Sequence, residues 1–356
     1  MPGNRSCPLP GRDLDHVLEH TQGLWEELRG GRLFVTGGTG FFGRWMLESF
    51  LRANDEFGLG AEAILLTRNP QGYAEAAPHV AEHRAVRLQP GDVKSFVYPD
   101  LECTHVIHMA TETAIATSAT ASFDTAVEGT RRVLGLAAAR GVRKLLLTSS
   151  GAVYGPQPPD CERLPEDYAR APSPQDVSAG YAHGKRAAEF LCCAAAAHTR
   201  LQTKIARCFA FVGPLVPLDA NFAISNFIRD ALERERIELT GDGTPRRSYL
   251  YAADLAVWLW TILFRGESCR PYNVGSDADL SIAELATLVA RVLRPGIPVH
   301  VPAPSAGGAP PRRYVPDTTR AHAELELRVR VPLDDAVLRT GQWYRGQPAG
   351  STIGSS

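Results

Sequence analysis

The chain has no apolar run long enough to cross a bilayer. Its longest, Ala256 to Phe264, is bounded by Asp254 and Arg265 and falls well short of the roughly 20 residues a membrane helix needs. Met1 to Pro10 has no apolar core of signal-peptide length. Net charge is lacking as well. The chain has 38 Lys and Arg against 39 Asp and Glu, so there is no global pull toward nucleic acid or an anionic membrane. Cysteine is sparse and unorganised: seven residues, an odd number, with no CxxC among them. That pattern reads as reduced thiols and a cytoplasmic location rather than a disulfide framework. His16 and His20 are four apart, as are His79 and His83, but neither pair has a third ligand of suitable spacing nearby. Solvated histidines are expected, and no metal.

What is present is an ordinary soluble composition, 44% apolar and 22% charged, in 356 residues. That length suits one large α/β domain or two intimate ones. The chain is organised around Arg32 to Gly43, R-L-F-V-T-G-G-T-G-F-F-G, where a short apolar run stops at glycines and restarts as an amphipathic helix. Gly37, Gly40 and Gly43 are three apart. A strand-to-helix turn with this spacing presents backbone N–H groups and a helix N-terminus to a phosphate. Gly37 permits the tight turn, Gly40 lets a pyrophosphate approach bare backbone, and Gly43 lets the helix pack close to the strand.

Before this turn, Met1 to Gly11 reads as a loose tail and Asp13 to Arg29 as one helix ended by Gly30-Gly31. After it, strands are expected over Ala63–Thr67, Ala85–Leu88, His105–Ala110, Lys144–Ser149 and Thr203–Phe209. Long helices are expected over Phe123–Arg140 and Ala179–His198. Such alternation predicts a doubly wound parallel sheet with helices on both faces. Beyond Gly213-Pro214 the texture breaks into shorter elements. Among them are a helix over Asp254–Phe264, a strand over Tyr272–Val274, a helix over Ile282–Leu293 and a Pro- and Gly-rich connector from Pro295 to Pro311. The domain organisation expected is a tail and helix over 1–30 and a dinucleotide-binding unit over 31–210 to which 247–266 returns. A smaller α/β C-terminal substrate-binding domain spans 211–246 and 267–345, with a disordered tail over 346–356.

The chemistry-bearing stretch is Tyr181-Ala182-His183-Gly184-Lys185, with Ser149-Ser150 closing the fifth strand. Tyr181 and Lys185 are four apart on a helix, so both project from one face. An ammonium beside a phenol favours tyrosinate, which is expected to lower the Tyr181 pKa toward working pH and fit it for acid–base work at a sugar hydroxyl.

In the order T-G-G-T-G-F-F-G (36–43), G-D-V (91–93), H-M-A-T (108–111), S-S-G-A-V-Y-G (149–155), Y-A-H-G-K (181–185), R-C-F-A-F-V-G-P (207–214), G-D-G-T-P-R-R-S-Y (241–249), Y-N-V-G-S (272–276) and R-R-Y-V-P-D (312–317), nearly the whole chain resembles the extended short-chain dehydrogenase/reductases, specifically their nucleotide-sugar epimerase/dehydratase branch. The resemblance implies a Rossmann-type fold and a catalytic set of Ser150, Tyr181 and Lys185. It implies a cofactor site of Gly37, Gly40, Phe41, Phe42, Gly43, Arg68, Asp92, Val93, Ala110, Tyr181 and Lys185, with Asp92 at the adenine and Lys185 at the nicotinamide ribose. Thr111, Asn221, Arg247 and Arg313 (or Arg312) are the implied contacts to a nucleotide-diphosphate sugar. A homodimer is implied too, formed through the helices around 123–140 and 179–198.

Two departures shape the expected activity. Where the 4,6-dehydratases carry an Asp-Glu pair after the catalytic hydroxyl, this chain has Gly151-Ala152, which argues against dehydration; Glu112 is the one carboxylate near the fourth strand's end. The second strand ends Leu66-Thr67-Arg68 rather than in an acidic residue. Arg68 would attract a 2′-phosphate and favour NADP, whereas the family's epimerases and decarboxylases retain NAD. The cofactor expected is therefore NAD or NADP. The activity expected first is epimerisation through a transient 4-keto sugar. The alternatives are a 4-ketoreductase, a uronate decarboxylase, and a dinucleotide-binding regulator without catalysis.

Overall fold

A computed structural model describes residues 7–111, 118–220, 222–302 and 311–346. Seven parallel strands form the central sheet: β1 (Arg32–Thr36), β2 (Glu62–Thr67), β3 (Val86–Pro90), β4 (His105–His108), β5 (Lys144–Ser150), β6 (Gln202–Cys208) and β7 (Pro271–Val274). Their order across the sheet is β7-β6-β5-β4-β1-β2-β3. The strand order reverses between β1 and β4, and ligands of open α/β sheets bind at the carboxyl edge of such a switch point. β4 stops at His108, two residues short of its expected end, and β5 runs one residue further, to Ser150. Pro271–Val274 pairs with β6 as the sheet's edge strand, although the sequence reading had placed it with the smaller domain.

The two faces of the sheet are covered differently. On one lie α1 (Gly11–His20), α2 (Phe41–Glu56) and, further along the chain, the helix Ala252–Arg265. Residues 252–264 of that last helix are buried all round, as an apolar sequence without a polar face requires. Trp25, Trp45, Trp258 and Trp260 are all buried here, with Trp25 and Trp260 centroids 4.7 Å apart. On the other face lie α3 (Ala119–Ala139) and α4 (Gly180–His198). They approach closely because Gly180 and Gly184 face them: a Cβ at Gly184 would come within 2.9 Å of Ala126 Cβ. The C-terminal part adds helices Ile282–Leu293, entered through a Ser281/Glu284 capping box, and Leu333–Arg345. It also adds a three-stranded sheet of Asp279–Ser281, Arg246–Ser248 and Arg313–Tyr314.

The single N-terminal helix expected over 13–29 is two elements. Gly23 takes a positive φ of 78°, breaking it into α1 and a 3₁₀ turn over Trp25–Leu28. The tail is anchored earlier than expected, since Leu9 is buried and its N–H donates to Glu48 Oε2 at 2.7 Å. The histidines are paired rather than solvated. His16 contacts Asp254 at 2.8 Å, His79 contacts Glu48 at 3.2 Å and His83 contacts Asp55 at 3.0 Å.

Candidate active site

Three kinds of element converge at the carboxyl edge of β1, β4 and β5. The first is the glycine turn. Gly37 sits at φ 71°, and a Cβ there would lie 2.6 Å from Ala110 N, so both its conformation and its neighbour require glycine. A Cβ at Gly43 would overlap the backbone of Gly38 and Gly37, which is why α2 can start directly against the turn. Gly38, passed over in the sequence, is equally constrained by Leu65. Gly40 is different: its Cβ would meet only Gly37 O, at 3.6 Å. The exposed side of Gly40, at the N-terminus of an α2 that has no side-chain cap, is open. An open backbone approach beside an uncapped helix start is the feature a pyrophosphate needs.

The flanking residues line the same edge. Phe41 and Phe42 open α2, with Phe42 edge-on to Phe211 at 5.0 Å. Ala110 N donates to Thr36 Oγ1 at 3.2 Å, and the adjacent Thr111 has a buried hydroxyl without a partner among the described residues. Asp92 uses Oδ1 on Lys94 N at 2.9 Å, and Val93 beside it is buried. Arg68 follows β2 and is exposed. This set fits a dinucleotide: bare backbone for phosphates, a carboxylate at the β3 end, and a cation where a ribose 2′ substituent would lie.

The third kind of element is a cluster of hydroxyls. Ser150, at the last position of β5, accepts from Ala152 N at 3.2 Å, with the phenols of Tyr181 and Tyr314 beside it. Lys185, buried one turn along α4, donates to Thr148 O at 2.8 Å, and its Nζ lies 5.8 Å from the Tyr181 ring centroid. Burial pushes the Tyr181 phenol up to about 12, with the Ser150 hydrogen bond pulling the other way. Burial also lowers Lys185 to about 8. The lowered tyrosine expected from the sequence is therefore reversed in the free protein. Loss of water from around the phenolate outweighs the ammonium, whose hydrogen bond is spent on a backbone carbonyl. Behind the cluster, Ser149 donates to Glu189 Oε1 at 2.5 Å, and Glu189 is paired with Arg207 at 2.7 Å. These groups fix the end of β5.

Of the expected substrate contacts, Arg247 is half-buried, and its one hydrogen bond is from Nη1 to Arg246 O at 2.8 Å. It makes no ion pair among the described residues, and burial lowers its pKa. Arg313 is engaged already, with Asp279 at 3.0 Å. Asn221 and Glu112 lie outside the described residues. The sequence reading missed Tyr314, which stacks 4.7 Å from Phe209 with Arg247 5.8 Å from its ring centroid. It was embedded in the R-R-Y-V-P-D run, where the arginines drew the reading. No feature of the sequence placed it beside Ser150, 164 residues earlier (314 minus 150).

Similarity to known proteins bears on the family and the fold. The model of the NAD dependent epimerase/dehydratase family matches residues 33–275. UDP-glucuronic acid decarboxylase 1 of Xenopus tropicalis is 28% identical over 317 residues, covering 88% of this chain and 72% of that protein. The structure of DesIV, a dTDP-glucose 4,6-dehydratase from Streptomyces venezuelae with NAD bound, is 26% identical with a TM-score of 0.73, covering 88% of this chain and 97% of that one. UDP-glucose 4-epimerase of Thermotoga maritima shares the fold at 19% identity and a TM-score of 0.70, covering 88% and 98%.

Proposed function

This chain belongs to the NAD dependent epimerase/dehydratase family, and from that premise we propose that it oxidises the C4 hydroxyl of a nucleotide-diphosphate sugar. Where the sugar is a uronate, the outcome is loss of CO2. The observation that carries the reading is the meeting of Ser150, Tyr181 and Lys185 beside the glycine turn. Tyr181 Oη takes the proton of the C4 hydroxyl, Ser150 hydrogen-bonds the same oxygen, and Lys185 holds positive charge beneath the phenol. Gly37 to Gly43 and the start of α2 hold the dinucleotide's phosphates, with Phe41 and Phe42 beside them. Asp92 and Val93 hold its adenine end, and Ala110 and Lys185 its nicotinamide end. When bound, the nicotinamide supplies the acceptor for the two electrons of the oxidation. Arg247 and Thr111 receive the substrate, Arg247 as a cation for phosphate or carboxylate oxygens.

A ketone at C4 places a uronate's carboxylate β to a carbonyl. The C5–C6 bond then breaks with its electron pair passing into an enolate, and a proton returns to C5. No acid–base carboxylate pair is needed. Dehydration across C5–C6 does need one, and Gly151 and Ala152 offer none. The decarboxylase relatives support this outcome over dehydration. Epimerisation, the first expectation from the sequence, shares the oxidation step. A 4-ketoreductase is favoured only by the exposed Arg68, which suits a 2′-phosphate. The exposed Phe190 of α4, at 71%, and Val177 in the turn before it, at 84%, mark the face proposed to form a homodimer.

The test is to incubate the purified protein with UDP-glucuronate, UDP-glucose, dTDP-glucose and GDP-mannose, following sugars by NMR and cofactor by absorbance. CO2 release with a pentose product supports the decarboxylase. A C4 epimer without added cofactor supports the epimerase, and stoichiometric NADPH loss supports the ketoreductase. Inertness toward every sugar would sink the C4-oxidation reading.

A further inference from the structure

We propose that a second cavity, toward the amino edge of the sheet, binds a phosphate dianion. It measures about 90 Å³ and is lined by residues of three segments, several times the space of roughly 10–15 Å³ that one water needs. His20 comes from the end of α1, Arg265 from the end of the helix Ala252–Arg265, and Glu326, Arg328 and Arg330 from the chain after Leu325. The helix Ala252–Arg265 ends beside the start of β5, where Lys144 Nζ donates to Phe264 O at 2.6 Å. The cavity is thus separate from Ser150, Tyr181 and Lys185, which gather at the carboxyl edge. Three guanidinium charges against the one carboxylate of Glu326 leave +2 on its walls. A phosphate dianion matches that charge, and its oxygens match the guanidinium fork.

The donors of this cavity are unspent. Arg29, Arg52 and Arg270 each face a carboxylate, Glu26, Asp15 and Glu324 respectively. The guanidinium groups of Arg265, Arg328 and Arg330 make no hydrogen bond or ion pair among the described residues, although they share one cavity. His20 gives Nδ1 to His16 O at 2.8 Å, and its Nε2 has no partner among the described residues. Like charges gathered without a counter-charge repel one another, and a bound dianion removes that cost. The backbone carrying the two neighbouring arginines is held rigidly. Trp258 Nε1 donates to Arg328 O at 3.2 Å, and Arg330 N and Val331 N donate to Asp254 Oδ2 at 2.8 and 3.0 Å. Leu327 and Val331 are buried between and beside them, so the alternation turns Arg328 and Arg330 outward together. The helix end that would oppose an anion is answered as well: Lys144 holds Phe264 O, and Lys204 Nζ donates to Gly266 O at 2.5 Å.

The experiment is a calorimetric titration of inorganic phosphate into the full chain at fixed ionic strength, with NAD+ present in excess to occupy the glycine turn. One site is expected, with a Kd of about 0.1–1 mM. The double variant Arg328→Gln/Arg330→Gln should weaken it at least about tenfold, and Arg265→Gln, from a different element, about threefold to tenfold. Arg200→Gln, an exposed arginine elsewhere, should leave it within about 1.5-fold, since salt screens distant charges. Glu326→Gln removes the opposing carboxylate and should tighten binding about threefold, a gain that no loss of folding can imitate. A second titrant reads the source of the phosphate. Glucose 1-phosphate binding at least as tightly as the free ion, and lost in the double variant, assigns a phosphomonoester; its exclusion assigns inorganic phosphate. Absence of saturable binding, binding undiminished in the double variant, an equal loss in Arg200→Gln, or no gain in Glu326→Gln overturns the inference. Turnover is not part of the readout, so failure here leaves the C4-oxidation reading standing.

Discussion

The two halves of the site are built on opposite plans. The glycine turn is local: within seven residues, Gly37 to Gly43, backbone makes the cradle, and side chains at Gly37, Gly38 and Gly43 are excluded by neighbours as near as 2.2 Å. The hydroxyl half is assembled from afar, with Ser150 from β5, Tyr181 and Lys185 from α4, and Tyr314 from the C-terminal sheet. A backbone cradle is specified by what is missing, and its chemistry is the fixed one of N–H groups and a helix start. An assembled side-chain cluster is specified by what each element delivers, and its protonation depends on how completely water is removed. Tyr181, raised to about 12 where a neighbouring ammonium would have lowered it, shows how strongly that dependence acts.

The contrast predicts separable losses. Tyr181→Phe is expected to lower turnover about 1,000-fold while leaving NAD+ affinity within about twofold; steady-state kinetics with calorimetric binding checks it, and a parallel loss of binding would merge the halves. Gly43→Ala is expected to weaken dinucleotide binding at least about tenfold and to destabilise the fold by roughly 1–3 kcal/mol, because its Cβ overlaps backbone. Gly40→Ala, whose Cβ meets only Gly37 O at 3.6 Å, should weaken binding with the melting temperature unchanged. Equal melting losses for the two variants would contradict the open approach at Gly40. Gly151→Ala is expected to lower kcat about tenfold by displacing Tyr314 and Phe209, with dinucleotide affinity preserved.

The smallest effect is on stability. Lys185 has a folded pKa lowered to about 8, from 10.5. The unfolded chain therefore binds more protons between those values, and this group's contribution to stability rises with pH across that window. Denaturant titrations of the wild type and Lys185→Met at pH 7, 8 and 10 should show the variant's relative advantage shrinking as pH rises. The comparison cancels Lys204, which shifts in the same direction. A pH-independent difference would remove Lys185 from that account.

The cradle was legible in the sequence for the reason that makes it local. Gly37, Gly40 and Gly43 carry their conformational meaning in their spacing, and Tyr181 and Lys185 likewise share a helix face by arithmetic. Strand ends were within one or two residues, since β-branched runs stop where glycine or a polar cluster begins. Apart from the break at Gly23, the failures are non-local. Gly23 broke a helix that apolar spacing carried through, and Pro271–Val274 joined the main sheet because β6 offered an open edge, which no local pattern records. His16 and His79 found carboxylates 238 and 31 residues away (Asp254 and Glu48), and Tyr314 comes to Gly151 from the far, C-terminal part of the chain.

The strand bearing Tyr314 is held by main-chain bonds that do not depend on its side chain. Arg246 N donates to Arg312 O at 2.8 Å, Leu164 N to Val315 O at 2.9 Å, and Asp317 N to Leu164 O at 2.9 Å. Asn273 Nδ2 adds a bond to Asp317 O at 2.9 Å. Residue 314 is thus an interchangeable bit in a fixed chuck. Its side chain can change while these main-chain bonds keep the strand's register.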